Sequence, residues 1–95
     1  MTEAETPAEL RARIEELLPR IEALAAAEPE PRWLASIAAQ LRYLRDGLAT
    51  PGFRFDRLGE LNFGLLASHY VDDDWPELGT RLHEISNAAR RRLGG

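Results

Sequence analysis

The amino-acid sequence predicts an all-α fold, a small antiparallel bundle of about four helices with the third at its centre. Two observations carry this. Apolar residues recur at helical spacing along almost the whole chain, and no segment alternates as a strand would. Clusters of proline, glycine and aspartate then cut the pattern into helices near residues 7–26, 31–49, 56–70 and 75–93. With 95 residues the chain is one domain, 1–95, because either half would be too small to enclose a core.

The first helix opens with Thr6-Pro7-Ala8-Glu9: a threonine cap, proline at the first helical position and glutamate three after the cap. Leu10, Ile14, Leu17, Leu18, Ile21 and Leu24 form its stripe. Pro19 removes a backbone donor and crowds the carbonyl of Glu15, which predicts a kink or a break. Glu28-Pro29-Glu30-Pro31 reads as a stiff connector, since each proline disfavours helix in the residue before it. The second helix starts near Pro31 and carries Leu34, Ile37, Ala38, Leu41, Leu44 and Leu48 inward, with Arg42, Arg45 and Asp46 on the wet side, until Thr50-Pro51-Gly52 ends it.

Asp56 offers a cap for the third helix, which is apolar on most faces through Leu58, Leu61, Phe63, Leu65, Leu66, Ala67 and Tyr70. Such a helix is expected to be surrounded by the others. Gly64 within it predicts either close approach of another helix or a local bend. Asp74-Trp75-Pro76-Glu77 repeats the cap logic of the N-terminus, and Leu78, Leu82, Ile85, Ala89 and Leu93 follow as a regular seam. Gly94-Gly95 suits a left-handed C-cap.

Composition narrows the function. Hydrophobic residues make up 44% and charged residues 29%, too apolar for a disordered chain. The net charge is −4, and all 12 cations are arginines. An acidic domain gives nucleic acid little reason to bind; Arg90-Arg91-Arg92 is read as complementing the carbonyl end of the last helix. Cysteine is absent, which removes disulfides, thiolate metal sites and cysteine nucleophiles. Met1-Thr2-Glu3-Ala4-Glu5 is acidic without an apolar signal region, and no run approaches a membrane span, so the expected location is the cytoplasm.

The residues offer little chemistry. His69 and His83 lie on different helices without metal-ligand spacing, though either has acidic residues such as Glu84 or Asp73 within reach. Asp72-Asp73-Asp74 lacks the alternate spacing and turning glycine of a calcium loop, and reads as a helix cap beside a solvated acidic loop. Ser36, Ser68 and Ser86 show no nucleophile elbow, and the glycines form no phosphate loop. No catalytic, cofactor or metal residue is therefore assigned, and no enzyme is expected. What remains is surface. Trp75 beside the acidic run is expected to be partly exposed; Phe53-Arg54-Phe55 either plugs the end of the bundle or anchors an interface.

Three stretches share an order and spacing with a known family: Gln40-Leu41-Arg42-Tyr43-Leu44-Arg45, Leu61-Asn62-Phe63-Gly64-Leu65-Leu66-Ala67 and Asp72-Asp73-Asp74-Trp75-Pro76-Glu77-Leu78. From about Ala38 to Ala89 the chain resembles the small helical immunity proteins of the bacterial type VI secretion system, closest to those that neutralise NAD(P)-glycohydrolase effectors. It departs from that pattern in Trp75, where an acid is usual, in a longer loop from Pro51 to Phe55, and in a first helix that matches poorly. The resemblance implies a bundle that docks on a cognate protein toxin and occludes its active site. Toxin contacts are then expected at Asp72, Asp73, Asp74, Trp75 and Glu77, with no cofactor, nucleic acid or membrane involved. The alternative is a helical adaptor or regulatory subunit that binds a host protein. Gene order separates the two, because an immunity gene normally lies beside its effector.

Overall fold

A computed structural model describes residues 6–28 and 32–93. Within them the chain is helical without strands: α1 (Pro7–Ala27), α2 (Trp33–Leu48), a 3-10 turn (Leu58–Glu60), α3 (Phe63–Leu66) running on into a wide π-type turn (Ala67–Val71), and α4 (Pro76–Leu93). The Pro29-Glu30-Pro31 part of the connector, the helix start at Pro31, the acidic opening before Thr6 and the Gly94-Gly95 cap lie outside the described residues.

α1 begins as its sequence dictates. Thr6 Oγ1 accepts from the Glu9 N–H at 3.1 Å, and Glu9 Oε1 accepts from the Thr6 N–H at 2.9 Å. Two donors that a helix start leaves orphaned are thereby satisfied. Leu10, Ile14, Leu17, Leu18 and Ile21 are buried, and α2 lays Leu34, Ile37, Ala38, Leu41 and Leu44 against the same core. Of the kink or break expected at Pro19, the break does not occur. Pro19 is exposed, so its ring faces solvent, and one helix runs through it.

The third helix departs most from expectation. It starts at Phe63 and not at Asp56, and a side chain of α2 takes the Asn62 N–H, a backbone donor that a longer helix would use. The Asn62 N–H donates to Gln40 Oε1 at 2.7 Å, while Gln40 Nε2 donates to Asn62 Oδ1 at 2.7 Å. The Arg57 N–H donates to the Tyr43 hydroxyl at 3.1 Å. Leu61 is extended in consequence, and only a 3-10 turn forms before it. Nor is this helix enclosed: Phe63, Ala67 and Val71 are buried, whereas Leu65 is 58% and Tyr70 47% exposed.

Pairwise contacts fix the helix directions. Between α1 and α4, Arg13 meets Glu84 at 3.3 Å, Glu16 meets Arg81 at 3.5 Å and Arg20 meets Glu77 at 3.7 Å. Numbers rise on one helix as they fall on the other, so the two are antiparallel. Gln40 with Asn62 and Trp33 with Tyr70 make α3 antiparallel to α2. Gly64 against Ser86 and Ser68 against His83 do the same for α3 and α4. The α1–α4 ion pairs are exposed, each contributing about 0.2–1 kcal/mol at most, so they set register more than stability.

Gly64 marks a close approach of α4. A Cβ there would lie 2.8 Å from Ser86 Oγ and 3.2 Å from Ser86 Cβ, and Ser86 is itself buried. Gly64→Ala gains at most about 1 kcal/mol of helix propensity but overpacks the α3–α4 contact by about 1–3 kcal/mol. A net loss of about 1 kcal/mol is expected in urea unfolding. Adding Ser86→Ala should recover part of it, with a coupling of at least about 0.5 kcal/mol; strictly additive losses would place the two residues out of contact.

Candidate functional site

The short link between the π-type turn and α4 holds four of the five residues expected to contact a toxin, the first turn of α4 holds the fifth, Glu77, and the structure divides them. The turn closes with the Asp72 N–H donating to the Ala67 carbonyl, five residues back, at 2.9 Å. α4 starts one residue later than the Asp74 cap predicts: the Gly79 N–H donates to the Trp75 carbonyl at 2.9 Å, which puts Trp75 at the cap position.

Asp72 faces inward. Its Oδ2 lies 3.2 Å from His83 Nε2. Its Oδ1 is buried against Gly79, where an added Cβ would run into the carboxylate and come within 3.2 Å of Asp72 Cα. Glycine at 79 is what lets this carboxylate reach α4. Glu77 is also committed within the molecule, to Arg20 at 3.7 Å and Arg81 at 3.4 Å. Asp73 and Asp74 are exposed and form no ion pair among the described residues.

Trp75 is half-buried, as expected, and belongs to a group that the sequence did not reveal. Its ring lies 6.4 Å from that of Trp33 at the start of α2, tilted by 54°. Trp33 in turn stacks on Tyr70 at 5.1 Å with the planes 14° apart. Three aromatic rings from three elements thus gather at one corner, beside Asp73 and Asp74. Their joint signal in the sequence is slight, because Trp33 stands far from the other two.

Ser68, His83 and Asp72 invite comparison with a hydrolytic triad, and the geometry argues against one. Ser68 Oγ at 3.4 Å and Asp72 Oδ2 at 3.2 Å approach the same nitrogen, His83 Nε2. A proton relay needs the acid on one ring nitrogen and the nucleophile on the other. The partner of His83 is Asp72, and not the Glu84 or Asp73 that its surroundings in the sequence suggested. No group of three or more histidine, aspartate or glutamate side chains among the described residues is placed to hold a metal ion.

Elsewhere, of the loop aromatics Phe55 packs against the core, while Phe53 lies over it and stays 37% exposed. Phe53 and Phe55 lie 4.9 Å apart, each edge-on to Tyr43, and their rings sit over Gly47, where a Cβ would approach both to 2.6 Å. The loop turns at Gly52, whose φ of 75° follows Pro51 as a type II turn requires. A surface hollow of about 270 Å³ between α2 and the 3-10 turn is lined by Ser36, Gln40, Tyr43, Arg57 and Glu60. Gln40 and Tyr43 already direct their polar atoms to the Asn62 and Arg57 backbone there.

The comparison with known families returns a match over most of the chain. The Tsi6 family matches residues 9–91, a span that includes most of α1 and so reaches well beyond the segment from Ala38 to Ala89. Comparisons with curated proteins and with solved structures returned no match. On the strength of that match, which runs from the first turn of α1 to the last turn of α4, the chain belongs to the Tsi6 family of type VI secretion immunity proteins.

Proposed function

We propose that the chain acts by binding its cognate type VI toxin and blocking the toxin's active site, and that this toxin degrades NAD(P). The family match over residues 9–91 carries the reading, since an immunity protein protects by engaging a toxin. The surface chemistry supports the finer part. A site that consumes NAD(P) must receive a negatively charged pyrophosphate, so its mouth is electropositive. Asp73 and Asp74 answer that charge, and Trp75 sits beside them to fill an apolar slot. A standard interface takes about 800 Å² from each partner; the domain offers 5864 Å² in total. Inhibition then requires no catalytic group, and the protein is a binder and not an enzyme. The NAD(P) pool it guards lies in the cytosol, where we place it; no helix among the described residues is long and apolar enough to cross a membrane.

Co-expression with the cognate effector tests this. Survival, a preserved NAD(P) level and a one-to-one complex on co-purification are the expected results. Rescue without a complex would indicate an enzyme that reverses the damage. A complex that protects cells whose NAD(P) never falls, with or without it, would assign the toxin to another class.

A further inference from the structure

We infer that the toxin seats on the corner formed by the start of α2, the exposed side of α3 and the α3–α4 link, with Tyr70 as the central anchor and Asp73 and Asp74 as its charged rim. The inference rests on the immunity reading and specifies the surface that does the work.

Two independent features coincide at this corner. The first is apolar surface left open by the fold. Leu65 on α3 and Tyr70 in the π-type turn that continues it are two of the three large hydrophobic residues exposed among the described residues. Tyr70 is also held in place, because its ring stacks on Trp33, which contacts Trp75. A pre-ordered aromatic side chain loses little freedom on binding, which is why tyrosine and tryptophan dominate interface energetics. The third exposed residue, Phe53, packs on Phe55 and Tyr43 at a separate cluster.

The second feature is charge. On the helices, Glu15, Glu16, Glu22, Asp46, Glu77 and Glu84 each face an arginine within 4 Å. Asp73 and Asp74, like Glu28 and Asp56 elsewhere, face none among the described residues, but only these two stand side by side next to the stacked rings, so no arginine within 4 Å offsets their joint field. The partner that fits is therefore a protein surface with a basic rim around an apolar projection, as the mouth of an enzyme for an anionic substrate provides. Asp72 and Glu77 adjoin this surface in sequence but are turned to His83 and to Arg20 with Arg81.

The test is titration of the purified toxin domain of the cognate effector against the full chain and its variants, at low and high salt. Tyr70→Ala should weaken binding at least about tenfold, and Asp73→Arg with Asp74→Arg at least about tenfold with a flatter salt dependence. Glu15→Gln and Glu22→Gln, both at ion-paired acids outside this corner, should stay within about twofold of the wild type. None of these positions lies in the core, and circular dichroism with thermal unfolding verifies that each variant is folded. Wild-type affinity in both Tyr70→Ala and the double arginine variant overturns the assignment while leaving the immunity reading intact. Failure of the unaltered chain to bind the toxin removes both. A dimer of the free protein that Tyr70→Ala dissociates, with toxin affinity unchanged, gives the corner to a second copy and overturns the assignment as well.

Discussion

Replacing Phe63 by alanine is expected to remove about 3–5 kcal/mol of stability, the cost of deleting a large aromatic side chain from a packed interior. Phe63 is 2% exposed and is the one fully buried bulky side chain of α3; Leu66 is only half-buried against the core, and the other buried residues of this segment, Gly64 and then Ala67 and Val71 in the π-type turn, are smaller. Those neighbours leave the segment little other apolar area to hold it between α2 and α4. A domain of this size has about 5–15 kcal/mol to lose in all. Thermal unfolding should therefore move down by more than about 10 °C, and toxin binding should weaken as α3 loses its fixed position. A loss below about 1 kcal/mol would mean that the ring is not gripped as described.

Pro19→Ala should do the opposite and stabilise the protein. In a helix interior proline is about 3 kcal/mol less favourable than alanine. It returns about 0.4–1 kcal/mol by stiffening the unfolded chain. Because Pro19 is exposed, its replacement sacrifices no core packing, and α1 already runs through the position. The first term dominates, and a net gain of about 2 kcal/mol is expected, read as a higher urea midpoint at an unchanged slope. A lower midpoint would show that the α1 backbone is shaped around the proline ring.

The helices that the sequence reveals best are those whose signals are local. The Thr6–Glu9 box, the stripe from Leu10 to Ile21 and the seam from Leu78 to Ala89 each lie within one stretch of chain, and the structure has them as expected. The start of α3 depends on Gln40 and Tyr43, whose bonds to Asn62 and Arg57 span 22 and 14 residues. No periodicity encodes such contacts. The apolar surplus of α3 misled for a related reason: a residue reserved for a partner and a residue destined for the core have the same hydrophobicity. Leu65 and Tyr70 thus read as interior positions while facing solvent. At the candidate site, Asp73, Asp74 and Trp75 were legible as a run, but which carboxylates of that run face outward is decided by the π-type turn and by Gly79. Trp33 joins the group only because α2 and α3 are antiparallel.

The brevity of α3 has a consequence for the order in which the protein opens. α1 and α2 are long neighbours in sequence that bury their stripes against each other, so their amides should resist hydrogen–deuterium exchange up to the global unfolding limit. The four residues from Phe63 to Leu66 and the wide turn after them have few such partners, and should exchange through a cheaper, local fluctuation. On the binding mode inferred above, the surface that meets the toxin rides on a short segment that can shift without remaking the α1–α2 scaffold beneath it.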